Sequence, residues 1–278
     1  MSKKYFVSYG DTCYKESLER IGREAETLHL FDNVILYTDR SLPEPFSGYA
    51  RKYKRGGGYW MWKPWVVWHT LEQMEEGDVL VYADAGCSLF SHPDWGKYFH
   101  RLANSDAVFF VAEGKNKKWC KRMVFDSFTP KCQLWRHAHQ IQATFFLVKK
   151  THGNEVVRRW YEAAIRHPEF FVDASKEEAE HESSAFKEHR HDQSVLTACV
   201  CTDSHLHNIC FLPEKMEKVY GGGQALIASR ISSAGMRGRD KSCPPVNKWM
   251  GKLSLCVAKP VQIKITRCLF RLSQFLNS

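Results

Sequence analysis

Two kinds of hydrophobic pattern alternate along the chain. Predominantly apolar runs of four to six residues occur at 5–9, 34–37, 78–83, 107–112 and 144–148. Runs of that length, rich in strand formers and without polar alternation, predict strands covered on both faces. Between them lie segments with helical spacing. Leu18, Ile21, Ala25 and Leu28 recur at three- and four-residue intervals among charges, which predicts a helix within 13–30. Residues 62–74 read as a second helix, with Pro64 near its start, where proline is tolerated. Helices are also predicted at 155–166 and 193–199. Residues 173–189 are acidic and polar, read as a helix or a mobile loop, and 221–240 as a loop rich in Gly, Ser and Arg.

Strands alternating with helices predict an α/β layer fold, with a mostly parallel central sheet flanked by helices. Residues 1–240 read as one domain and 241–278 as a basic C-terminal extension. In parallel sheets, ligands bind beyond the carboxyl ends of the strands. Tyr9, Asp39 and Asp84 all fall there. Asp84 closes the apolar run of "GDVLVYADAGCS", where a carboxylate is costly unless something compensates it. It is either a turn former ahead of Ala85 and Gly86 or a ligand for a hard cation such as Mg²⁺ or Mn²⁺.

Net charge is +9, unevenly placed. Residues 241–278 hold seven Lys or Arg and no acid, which leaves the remainder close to neutral. That distribution argues against a nucleic-acid-binding module. Within 261–276, Val261, Ile265, Cys268, Leu269, Leu272, Phe275 and Leu276 form an apolar stripe opposite Lys264, Arg267, Arg271 and Gln274. Phe270 and Ile263 fall off it. Such a helix either docks on the domain or lies on an anionic membrane, placing the protein in the cytoplasm, peripheral to the membrane's inner face. The ten cysteines show no zinc or disulfide spacing and read as reduced thiols.

Three further stretches could carry chemistry. "RKYKRGGGYWMWKPW" (51–65) crowds cations, glycines and aromatics, suited to phosphate, close backbone approach and ring stacking, or else is a basic loop before a Trp-anchored helix. "HRHDQS" (189–194) places His189, His191, Asp192 and Gln193 around a helix start. Asp192 is either an N-cap or a general base or nucleophile, and the histidines metal or phosphate ligands. In "QIQA" (140–143) one of Gln140 and Gln142 is expected to face a cleft.

The order "YFVSYGD", "FDNVILYTDRSL", "RGGGYWMWKPWVV", "GDVLVYADAGCS", "HRHDQSVL" resembles GT-A-type glycosyltransferases of bacterial surface-polysaccharide (capsule and O-antigen) biosynthesis, over roughly residues 4–235. The resemblance implies a Rossmann-like sheet and transfer from a nucleotide-sugar donor, UDP-linked for preference, to a saccharide or lipid-linked acceptor. It implies that Tyr9 and Asp39 hold the nucleoside, and that Tyr59, Trp60, Lys63, Arg55 and one of the glutamines line the donor. Asp84 matches the first carboxylate of the family's metal-binding Asp-x-Asp pair, but Gly86 stands where the second would be. His189 or His191 would then complete a Mn²⁺ or Mg²⁺ site, or Lys63 and Arg55 would replace the cation. Asp192, with Gln193, is expected beside the reacting sugar carbon. The rival readings are a glycoside hydrolase using Asp84 and Asp192, and a surface-associated carbohydrate-binding protein.

Overall fold

The computed structural model describes residues 2–232 and 259–277. Seven strands form the main sheet: β1 (Lys4–Tyr9), β2 (Asn33–Tyr37), β3 (Val79–Ala83), β5 (Ala107–Lys115), β6 (His139–Ile141), β7 (Phe145–Lys149) and β8 (Ile209–Pro213). Their order is β2-β1-β3-β7-β5-β6, with β8 also paired to β5. β1, β2, β3, β5 and β8 run one way, and β6 and β7 run against them. The expected mostly parallel α/β sheet is therefore present, with an antiparallel strand inserted beside β3. A two-stranded ribbon, β4 (Ser88–Leu89) with β9 (Leu226–Ile227), lies within the stretches beyond β3 and the segment expected to be loop.

The runs in β1, β3, β5 and β7 are largely buried on both faces; β2, at the sheet edge, is only half-buried, with Leu36 exposed. Along β3, Val79, Val81 and Ala83 join one core layer with α1 (Lys15–Thr27) and α4 (Asp94–Ala103). Leu80 and Tyr82 join the opposite layer with α3 (Trp62–Glu72), α6 (Glu155–Arg166) and α8 (His191–Cys201). Two short helices complete the body, α2 (Phe46–Lys52) and α5 (Arg122–Phe128). In 173–189 the helical part is α7 (Lys176–Glu180), started by a Ser175–Glu178 capping box.

The C-terminal helix α9 (Lys259–Asn277) docks on the domain, though not through the expected stripe. Phe270, which breaks the apolar stripe, is fully buried in the core, with Thr266 and Ser273 beside it. Thr266 Oγ1 accepts from His139 N–H and Ser273 Oγ from Trp135 N–H. The helix docks through Phe270, with Ile263 and Leu269 packed against the same core, and through hydrogen bonds of Thr266, Ser273, Arg267 and Asn277. Of the stripe, Leu269 packs against the core, while Val261, Ile265, Cys268, Leu272, Phe275 and Leu276 are exposed, Phe275 at 75%. α9 therefore shares the core of the rest of the described chain. The expected boundary at 240 lies outside the described residues. The cysteines at 13, 87, 120, 132, 199, 201, 210 and 268 are free thiols.

Candidate functional site

Parallel pairing of β1, β2 and β3 brings three strand ends to one edge of the sheet. Tyr9 lies opposite Tyr37, so Asp39 follows close by, and Val7 lies opposite Tyr82, which brings Asp84 alongside Tyr9. Three cavities run along this edge. The outermost, about 360 Å³, is lined by Tyr9, Asp11, Asp39, Arg40 and Arg51. A second, about 340 Å³, shares Tyr9 and Asp11 and adds Trp60, Trp62, Asp84, Gly86 and Arg230. The third, about 680 Å³, shares Trp60, Asp84 and Arg230 and is lined further by Lys63, Gln140, Gln142, Asp192 and Gln193. Asp84 and Trp60 therefore stand where the second and third cavities meet.

The glycine-rich stretch supplies the wall between them. Five consecutive residues have positive φ: Gly56 (56°), Gly57 (54°), Gly58 (99°), Tyr59 (53°) and Trp60 (57°). Only glycine takes this conformation freely, so Tyr59 and Trp60 carry strain of about 1–3 kcal/mol each. Trp60 folds back onto Gly56, where a Cβ would lie 2.4 Å from the indole. A Cβ on Gly58 would meet the backbone nitrogen of Ala50 at 2.9 Å. Beyond the turn, Trp62 donates its indole N–H to Gly56 O at 3.0 Å and stacks on Tyr9 with centroids 3.8 Å apart. The Tyr9 hydroxyl is buried without a hydrogen-bond partner, and burial, then Asp11 and Asp39, push its pKa up.

At the centre of the site is Lys63, in the first turn of α3 and 2% exposed. Its Nζ lies 3.0 Å from Asp84 Oδ1 and 2.6 Å from Asp192 Oδ2, and donates to Ala143 O at 3.2 Å. Tyr82 donates its hydroxyl to Asp84 Oδ1 at 2.8 Å. Burial works against the Lys63 charge, but the two carboxylates, Asp192 first, outweigh it and raise its pKa. Burial pushes the Asp192 carboxyl up to about 6, against the opposing pull of Lys63. One ammonium thus holds two acids from distant parts of the chain. The more buried of the two titrates near neutrality, where a general base is most effective.

Not every expected residue is in place. Tyr59 does not line the cavities: its hydroxyl donates to Asp173 at 2.8 Å and its ring packs on Tyr53 and His191. Arg55 reaches the large cavity but is held by both oxygens of Asp173 at 2.9 and 3.1 Å. Gln140 and Gln142 both line the cavity, whereas only one was expected to. Residues two apart on a strand share a face, so the pair had to go together. Gln140 Oε1 accepts from Gln193 Nε2 at 2.7 Å, and its own Nε2 donates to Ser194 Oγ at 3.0 Å.

The expected metal ligands do not assemble. His189 uses both ring nitrogens on the backbone, accepting from Lys121 N–H at 3.2 Å and donating to Phe170 O at 2.7 Å. His191 donates to Phe171 O at 2.8 Å, and its ring packs on Tyr59 and Trp60. Burial keeps both neutral, lowering His191 to about 4. Among the described residues no group of three His, Cys, Asp or Glu is placed to hold a metal. Asp84 Oδ1 is held by Lys63 and Tyr82, His189 spends both ring nitrogens on backbone, and His191 spends Nδ1 on Phe171 O, leaving its buried Nε2 without a hydrogen-bond partner.

Residues that sequence reasoning passed over also line the site. Asp11 ends "YFVSYGD", and the strand-end rule that marked Tyr9 could have marked it too. Arg230 lines both inner cavities from the aperiodic Gly- and Ser-rich segment, and pairs with Glu217 at 2.7 Å. Trp119, Lys118 and Arg190, on the far wall, carried no periodic signal.

No family model and no curated protein matches the sequence. Among solved structures, the chain is similar to a glycosyltransferase involved in glycosylation of the major capsid of PBCV-1, at 12% identity and TM-score 0.37, covering 60% of this chain and 69% of that one. It is also similar to the galactosyltransferase LgtC in complex with donor and acceptor sugar analogues, at 11% identity and TM-score 0.38, covering 98% and 95%. The bifunctional IspDF of Campylobacter jejuni is similar too, at 10% identity and TM-score 0.37, covering 77% and 50%. Similarities of this size assign no function.

Proposed function

We propose that the chain is a glycosyltransferase of GT-A type, moving a sugar from a nucleotide donor to a saccharide acceptor. The observation that carries this reading is the row of cavities meeting at Asp84, with an aromatic, acidic recess on one side and the Lys63-bridged carboxylates on the other. The recess around Tyr9, Asp11 and Trp62 suits a base and ribose: rings to stack on, a carboxylate for hydroxyls, and a buried phenol with no partner. Lys63 and Arg230 then flank the donor diphosphate. As the acceptor oxygen bonds to the sugar carbon, the bond from that carbon to the β-phosphate oxygen breaks and its electron pair leaves with the phosphate. The acceptor proton passes to Asp192. Fixed positive charge near the departing diphosphate is the largest help a site can give.

A thermal-shift series with UDP, GDP and CDP tests this. A nucleotide at about 100 times its dissociation constant adds about 2.7 kcal/mol, which moves the midpoint by several degrees at about 2–4 °C per kcal/mol. One nucleotide is expected to give that shift, and to give it in EDTA. No shift with any of them favours a glycosidase or sugar-binding protein; a shift that requires Mn²⁺ takes the cation's role away from Lys63.

We further propose that α9 rests on an anionic lipid surface, which suits a lipid-linked acceptor in surface-polysaccharide synthesis. The support is an exposed apolar row flanked by Lys264 and Arg271, in a segment without acids. Apolar burial with basic flanks is the chemistry that holds interfacial helices. No helix among the described residues is long and apolar enough to cross a membrane. The protein is expected to pellet with vesicles containing phosphatidylglycerol and not with purely phosphatidylcholine ones. Phe275→Ser with Ile265→Ser, both at exposed positions, should abolish pelleting; wild-type protein left in the supernatant refutes the surface.

A further inference from the structure

We infer that the outer wall of the large cavity is a subsite for an anionic group, a carboxylate or a phosphate, carried by the acceptor saccharide. This rests on the transferase reading and specifies its acceptor. Three segments build the wall: the end of β5 with Gly114 and Lys115, the single helical turn with Lys118 and Trp119, and the irregular stretch 187–190. The last two are fastened by backbone hydrogen bonds. Lys118 O accepts from Lys187 N–H at 2.9 Å, and Trp119 O from Arg190 N–H at 2.8 Å. Asn116 secures the turn from beneath, donating its side-chain amide to Trp135 O at 3.0 Å. Trp119 lies across Gly114, where a Cβ would come within 2.3 Å of the indole nitrogen. Over its ring sit Arg190, at 4.3 Å, and Lys187 Nζ, at 5.7 Å.

The result is a cluster of four exposed cations, Lys115, Lys118, Lys187 and Arg190, carried into the cavity lining by fastened backbone. Among the described residues, Lys115, Lys118 and Lys187 form no ion pair, and Arg190 pairs with Glu188 at 3.2 Å, an acid also 3.7 Å from Arg55. The other acid on this wall, Glu113, is paired with Lys218 at 2.8 Å. The remaining cations of the cavity face acids: Lys63 meets Asp84 and Asp192, Arg55 meets Asp173, and Arg230 meets Glu217. Among the described residues, the cavity's cations without an acid partner are therefore Lys115, Lys118 and Lys187, all on this wall. Like charges held together repel, and an anion placed among them relieves that repulsion while gaining charge-assisted hydrogen bonds. The donor diphosphate has its own recess beyond Asp84. A saccharide whose hydroxyl meets Asp192 fills the other cavity and brings its substituents to this wall.

Three probes that differ in charge test the subsite: glucuronic acid, galactose 6-phosphate and galactose, titrated by calorimetry in the presence and absence of UDP. At least one anionic sugar should bind about tenfold more tightly than galactose, as expected for one good charge-assisted contact, and the preference should weaken in 0.5 M salt. Which acid wins separates carboxylate from phosphate. Lys118→Ala with Lys187→Ala, both exposed and outside the core, should erase the preference while leaving UDP affinity within twofold. Equal affinity for all three sugars, or no binding of any, overturns the subsite. A loss of UDP affinity in the double variant overturns it too, by giving the wall to the donor phosphates. Anionic preference in a protein that binds no nucleotide keeps the subsite and removes the transferase.

Discussion

Lys63→Met is expected to lower the unfolding midpoint by roughly 10 °C at pH 7 and to abolish turnover. The side chain is 2% exposed and its ammonium is the shared counter-charge of Asp84 and Asp192. Removing one partner of a buried ion pair costs about 3–5 kcal/mol, because the charge left behind keeps its desolvation penalty. In a domain of this size each kcal/mol is worth about 2–4 °C. Asp192, pushed up to about 6 by burial even beside the ammonium, should rise further without it. A carboxyl whose pKa is raised in the folded state binds more protons folded than unfolded there, so stability falls as pH rises through that range. The deficit of the variant should accordingly shrink when the pH is lowered from 7 to 5. Lys63→Met combined with Asp192→Asn removes one of the stranded charges and should recover part of the lost midpoint at pH 7. A single variant as stable as wild type, or a double variant no better than the single, means that Lys63 is not the clamp described.

That lysine also shows where reading the sequence stops. The strands were legible because burial on both faces leaves a predominantly apolar run, and the strand-end rule then singled out Tyr9, Asp39 and Asp84. Asp192 was legible as a carboxylate opening a helix. Lys63 was visible only as one cation in a basic, aromatic stretch. Nothing local says that its ammonium turns inward to two acids 21 and 129 positions away, because that pairing is made by the packing of α3 and α8 against one face of the sheet. His189 and His191 misled for the same reason. A histidine pair beside an aspartate looks like a metal site, but the fold brings in the backbone carbonyls of Phe170 and Phe171, which take one nitrogen of each ring. Tyr59 lost its place to Asp173, from a segment with no pattern at all. On α9 the outlier Phe270 was the informative residue, since a helix that buries its exception presents its rule to the outside.

Asp192→Asn is expected to reduce turnover by about 10²–10⁴-fold, the usual worth of a positioned base, while leaving the nucleotide-induced thermal shift within a degree or so of wild type. The amide keeps the size of the side chain and the α8 backbone, whose Asp192 carbonyl accepts from Trp160 at 3.1 Å; loss of the charge opposite Lys63 should lower the variant's own midpoint, while the nucleotide recess, which Asp192 does not line, is left as it is. The pH profile gives a second, independent reading. A base that titrates near 6 must be deprotonated to accept the acceptor's proton, so wild-type turnover should fall tenfold per pH unit below that value and level off above it. In Asp192→Asn the residual rate should lose that limb, because the group responsible for it is gone. Lys63 makes the test sharper. Its charge opposes the rise that burial imposes on Asp192, so conditions that screen a surface pair should hardly move a limb set by a buried one. A limb that shifts by a unit between 0.05 and 0.5 M salt belongs to an exposed group, and full turnover in the asparagine variant moves the base elsewhere in the cavity.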